Sequence, residues 1–145
     1  MYIKSLSIED NTTEIIIENP TWKQVKDAIV SLNGLNINTV MLEKNYDCEF
    51  MSISGGGNNK LYICTFHSEL EGDGEIHLYN PSKNWHETIE ITRIFPGLYS
   101  SAQCFEINTI LVVAETYVRL GKRDSSFHWG CISYDEFSEI KITEI

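Results

Sequence analysis

The chain has 145 residues, 42% hydrophobic and 22% charged, a size and mix that suit one soluble globular domain over residues 1–145. No apolar run approaches the ~18 residues of a membrane span. The opening MYIKSLSIEDNTTEIII carries acids and hydroxyls where an export signal needs basic and then continuous apolar residues, so a cytoplasmic location is expected. Against 11 basic residues stand 21 acids, a formal net charge of −10 that disfavours nucleic acid as a partner and favours a basic protein.

Tyr2–Ile8 (YIKSLSI) alternates and predicts a first strand, and Thr13–Glu18 (TEIIIE) a second or a continuation. Asn19-Pro20-Thr21 marks a helix start: Thr21 can cap, and Asn19 is expected to be extended before the proline. From there Trp22, Val25, Ala28, Ile29 and Leu32 fall at helical spacing with Lys23, Lys26 and Asp27 opposite, and Asn33-Gly34 closes the helix. Residues 39–43, 49–54, 61–67, 75–79 and 88–92 predict five short strands, separated by glycine, asparagine and proline as in an antiparallel meander.

Within that meander lies SISGGGNNKLYIC, whose three glycines look like a phosphate-cradling loop. Such a loop must open a helix, which supplies free N–H donors at its N-terminus. Here Leu61-Tyr62-Ile63-Cys64-Thr65-Phe66 follows, a strand pattern, and Lys60 lacks the Ser/Thr of a nucleotide loop. The glycines read as a hairpin turn, where positive φ carries no steric cost.

After Ser100 the period changes. Ile107, Ile110, Leu111, Ala114, Tyr117 and Val118 lie at helical spacing, Glu115 and Arg119 form an i,i+4 pair, and Gly121 ends the helix. In the tail, ISY and EIKITEI read as an added edge strand. The order predicts an α+β fold: an antiparallel β-sheet of about 5–7 strands with two main helices packed on one face.

No catalytic or metal constellation is legible. Cys48, Cys64, Cys104 and Cys131 are far apart with no C-x-x-C pair, and Cys64 in its strand reads as a buried thiol. His67, His77, His86 and His128 are scattered, and no G-x-S-x-G elbow is present. Catalytic residues, cofactors and metals are therefore expected to be none. The densest acids, Glu69-Leu70-Glu71-Gly72-Asp73-Gly74-Glu75, lack the order of a calcium loop. They read either as a solvated hairpin tip or as a negative contact surface. Trp85, in the polar loop NPSKNWHE, reads either as an interface anchor or as a side chain folded back on the core.

The charge is unevenly spread. Residues 43–90 carry nine acids against Lys44, Lys60 and Lys83, a net of −6, whereas 1–42 and 91–145 are each −2. A partner-binding surface is therefore expected around 47–49, 69–75 and 85–90, comprising Asp47, Glu49, Glu69, Glu71, Asp73, Glu75, Trp85 and Glu87.

Taken in order, NPTWKQVKDAIVSLNG, EFMSISGGGNNKLYIC and AETYVRLGKRDSSFHW resemble the opening proline–tryptophan helix, the strand–glycine turn–strand and the closing helix of Imm1-type immunity proteins of bacterial polymorphic toxin systems. The resemblance covers roughly residues 19–130; TEIIIE and the tail after Trp129 match no part of that pattern, and 68–100 matches in general character only. It implies a non-enzymatic inhibitor that binds the catalytic C-terminal domain of a cognate toxin, a nuclease or nucleic-acid deaminase whose face is basic. The alternative is a small-molecule-binding or hydrolytic α+β domain with a pocket between sheet and helices, marked by converging histidine and carboxylate groups.

Overall fold

In a computed structural model the described residues are 2–45, 49–68, 75–91, 97–134 and 140–145. Ten strands and two helices follow along the chain: β1 (Ser5–Asp10), β2 (Glu14–Glu18), α1 (Trp22–Ser31), β3 (Ile37–Asn45), β4 (Glu49–Gly55), β5 (Tyr62–Ser68), β6 (Ile76–Tyr79), β7 (Thr88–Ile91), β8 (Gly97–Ser100), α2 (Ile107–Leu120), β9 (His128–Tyr134) and β10 (Ile140–Glu144). The α+β class holds, but the sheet is larger than the 5–7 strands expected. Eight strands form it, in the order β10-β9-β6-β5-β4-β3-β1-β2, with every pairing antiparallel.

Two sequence expectations change here. The run at 88–92 does not extend the meander; β7 pairs with β8 in a separate two-stranded sheet. The tail supplies two strands rather than one edge: β9 lies inside the sheet against β6, and β10 forms the edge. Both differences have one cause. Strand order is set by long-range pairing, which local alternation does not encode.

Each helix is built as its sequence implies. Thr21 caps α1 with a capping box: its hydroxyl accepts from the Gln24 N–H at 3.2 Å, while the Gln24 amide oxygen accepts the Thr21 N–H at 2.9 Å. Asn19, however, is not extended; it adopts φ 48, a region asparagine tolerates, and its N–H reaches the Lys4 carbonyl. The helix closes at Leu32, before Asn33-Gly34, because the Leu32 N–H turns back to the Ile29 carbonyl. Gly121 ends α2 at φ 69, with its N–H on the Tyr117 carbonyl.

Both helices pack on one sheet face. Val25 and Ile29 of α1 and Ile110, Ala114 and Tyr117 of α2 meet Leu6, Val40, Leu42, Met51, Phe66 and Leu78 in one core. The triple glycine is a turn between β4 and β5, as expected. Gly55 (φ 117) and Gly56 (φ 81) need the left-handed region, and a Cβ on Gly56 would stand 2.3 Å from the Leu32 carbonyl oxygen. The glycines thus let the turn press against the end of α1.

The opposite face is half covered. The segment from Asn80 to Phe105, with β7, β8 and a 3-10 turn at Ser101–Gln103, folds back over β5, β6 and the β9–β10 end. Ile91 and Cys104 pack on Ile63, and Ala102 on Tyr79 and Ile142. Among the described residues, the apolar packing of this segment does not extend to β3, β1 or β2.

Candidate functional site

Strand alternation decides which side chains point to the face away from the helices. In β5, Phe66 enters the core, so Thr65 and His67 point the other way; in β6, Ile76 and Leu78 enter the core, so His77 points outward too. The register pairs Thr65 with His77 and Phe66 with Ile76, which sets His67 beside Glu75. The Glu75 carboxylate sits between two imidazoles, with Oε2 3.1 Å from His77 Nε2 and Oε1 3.4 Å from His67 Nε2.

His77 is held from both sides. Gln103 in the 3-10 turn accepts the Ser100 N–H at 3.0 Å through its amide oxygen, which leaves the Gln103 NH2 to meet His77 Nδ1 at 3.1 Å. In the neutral ring this puts the proton on Nε2, facing Glu75. The chain Ser100–Gln103–His77–Glu75 therefore ties the covering segment to the sheet and aims one carboxylate. His67 is fixed differently, by stacking on Phe50 at 4.5 Å and 15°.

These groups border a cavity of about 130 Å³, enough for about four waters at ~30 Å³ each. Phe50, Ser52, Ser54, Ile63, Thr65 and Tyr99 of β8 also line it. Thr65 is only 8% exposed.

Carboxylates recur on the outward positions of this sheet. By the register of their strands, Glu9, Glu14, Glu18, Glu43, Glu75 and Glu144 belong to the side away from the helices. Among the described residues no lysine or arginine lies on those strands' outward positions. Lys23 and Lys26 lie on α1, Arg119 on α2 and Lys122 and Arg123 just beyond it, whereas Lys60 lies in the β4–β5 turn and Lys83 in the covering segment. Several of the acids are oriented. Ser7 donates to Glu14, and His128 Nδ1 lies 2.6 Å from Glu144, a contact that holds the Glu144 carboxyl below the usual carboxylate range.

Of the residues expected to form a partner surface, the described Glu49 and Glu75 lie on opposite faces of the sheet. Asp47, Glu69, Glu71 and Asp73 lie outside the described residues. Glu49 turns to the helix side, where the Tyr117 hydroxyl donates to it at 2.9 Å and Lys44 Nζ lies 3.5 Å away. Glu75 takes the opposite face, at the cavity. Trp85 stays out of the core at 37% exposure, its indole N–H on His86 Nε2 at 2.9 Å. Glu87 is exposed, and its backbone carbonyl accepts the Ser101 N–H at 2.7 Å, which anchors the covering segment.

His67, His77, Gln103 and Thr65 were not singled out as a group by the sequence. The parity of Thr65 and His67, and of Glu75 and His77, was a readable signal. Which residue of β5 faces which of β6 was not, and nothing local marked Gln103.

Among the described residues no set of three or more histidine, cysteine, aspartate or glutamate side chains is arranged to hold a metal ion, and no helix is long and apolar enough to cross a membrane. No protein-family model, curated protein or solved structure matches the chain.

Proposed function

We propose that the chain is an immunity protein: a non-enzymatic, cytoplasmic binder that neutralises a cognate toxin domain, a nuclease or nucleic-acid deaminase, by laying its acidic sheet face on the toxin's basic substrate groove. The observation that supports this reading is the row of carboxylates on the sheet side away from the helices, from Glu9, Glu14, Glu18, Glu43, Glu75 and Glu144. A surface of one sign steers an oppositely charged protein and makes its association salt-dependent. The ordered resemblance of the two helices and the glycine turn to Imm1-type proteins points the same way.

A second reading, a small-molecule-binding or hydrolytic domain, draws on the His67–Glu75–His77 convergence. That reading expected its pocket between sheet and helices, a layer occupied by the apolar core, whereas the cavity is on the other face. Both nitrogens of His77 are also engaged, by Glu75 and Gln103, which fixes the ring in place. The geometry favours binding.

The test is co-expression with the toxin domain encoded beside this chain. A 1:1 complex that abolishes toxin activity, and that weakens as salt rises, is the expected result. Undiminished toxin activity at stoichiometric excess refutes the reading.

A further inference from the structure

β2 is the last strand at one end of the eight-stranded sheet, and its hydrogen bonds show which groups lie on the outer side. The Asn19 N–H reaches the Lys4 carbonyl at 2.8 Å, and the Asp10 N–H reaches the Thr13 carbonyl at 3.0 Å. Between them the register with β1 runs without a shift from Ser5↔Glu18 to Glu9↔Glu14. Antiparallel ladders alternate, so Ile15 and Ile17 turn their N–H and C=O groups to Ile8 and Leu6 of β1. The N–H and C=O groups of Glu14 and Ile16 therefore point away from β1, along the sheet edge.

Ile15 and Ile16, on opposite sides of β2, are 53% and 57% exposed. Edges are commonly guarded by a lysine, a proline or a bulge, and EIIIE holds none of these between its glutamates. Backbone donors and acceptors at strand spacing, with apolar side chains on both sides, are matched by another extended chain.

Charge identifies that chain. Glu9 and Glu14, both exposed, stand directly opposite each other on the side away from the helices, a like-charged cross-strand pair. Ser7 donates to the Glu14 carboxylate but brings no charge to it. A second copy laid antiparallel about Ile16 would set Glu14 of each copy across from Glu18 of the other, between chains of net charge −10. A lysine or arginine across from Glu14 reverses the sign of that interaction.

We infer that β2 takes up an extended basic segment of the protein partner as a ninth, antiparallel strand, bonded through the backbone of Glu14 and Ile16, with a lysine or arginine across from Glu14. This rests on the immunity reading for the source of the strand, and it names the edge at which the toxin joins the sheet.

The probe is the capped peptide acetyl-GKVVVKG-amide, titrated into the isotope-labelled protein. Saturable shifts confined to β2 and β1 are expected, with slowed exchange of the Glu14 and Ile16 amides. Two comparisons use the unmodified protein. The acidic peptide acetyl-GEVVVEG-amide, and the basic peptide N-methylated at its central valine, should each bind about ten-fold or more weakly. Ile16→Pro removes an N–H that β1 does not use, a place where an edge strand tolerates proline, so the variant should fold and lose the peptide. Absence of shifts, equal binding of the acidic or the N-methylated peptide, or a dimer that Ile16→Pro dissociates would each overturn the assignment. A toxin complex that Ile16→Pro leaves unchanged rejects this inference alone; peptide binding at β2 with no toxin complex rejects the immunity reading and leaves the edge standing.

Discussion

Replacing Tyr117 by phenylalanine tests whether Glu49 belongs to the fold rather than to an exposed surface. Tyr117 is fully buried in α2, and its ring meets Phe66 edge-on at 5.8 Å, so phenylalanine keeps the packing and removes one hydroxyl. That hydroxyl donates to Glu49 at 2.9 Å; Lys44, a cation near the same carboxylate, stands off at 3.5 Å and spends its shorter bond, 3.0 Å, on the Gly121 carbonyl. Loss of a hydrogen bond to a charged acceptor costs about 1.5–3 kcal/mol. For a chain of this size the loss lowers Tm by roughly 5–10 °C, at about 3–4 °C per kcal/mol. Urea denaturation of the wild type, Tyr117→Phe, Glu49→Gln and the double variant forms a cycle, and a coupling of about 1 kcal/mol or more is expected. Burial first, and then the Glu49 charge, raise the Tyr117 hydroxyl above its ordinary value. The sign follows: the neutral phenol is favoured in the fold, so this stability is present below pH ~10 and is lost as pH rises through the higher folded value. The phenylalanine variant should therefore show a shallower alkaline decline, with a remainder from Tyr62 and Tyr79, which burial shifts the same way. A Tyr117→Phe penalty under about 0.5 kcal/mol, or strict additivity with Glu49→Gln, would falsify the assignment.

Three further outcomes are expected. Gly56→Ala, which needs φ 81 and would set a Cβ 2.3 Å from the Leu32 carbonyl oxygen, should destabilise by about 2 kcal/mol or more in chemical denaturation; an unchanged midpoint would refute the packing of the turn on α1. Cys64 and Cys104 should resist a disulfide reagent in the native protein at pH 8, since burial raises both thiols, Cys104 to about 11; mass mapping that finds Cys64 labelled as fast as in urea would contradict its burial. Reversal of Glu14, Glu18 and Glu43 together to lysine should slow association with the toxin domain about ten-fold or more at low salt, read by stopped flow, while reversal of Lys23 and Lys26 on the helix side should not. Equal rate constants for the two sets would show that the sheet face does not steer.

Much of the fold was written locally. The Thr21 box, the α2 stripe from Ile110 to Val118 and the glycine at 121 are all signals of one or two turns, decided by hydrogen bonds and side chains within a few residues. The glycine turn was equally legible, because the strand pattern that follows it excludes a phosphate loop. What local chemistry could not reach was partnership. Thr88–Ile91 alternates like any sheet strand, yet it pairs with Gly97–Ser100 outside the main sheet, and the tail strand β9 enters the sheet beside β6.

The site divides along the same line. From the chain alone came the acidity, the isolated histidines and the expectation of carboxylates facing a basic partner. Only the folded arrangement decided that Glu49 bonds to α2 while Glu75 faces outward between His67 and His77, and that a glutamine from residue 103 braces one of them. Side-chain period tells which residues share a face of one strand; register between strands and the path of a covering segment are set by the whole core at once.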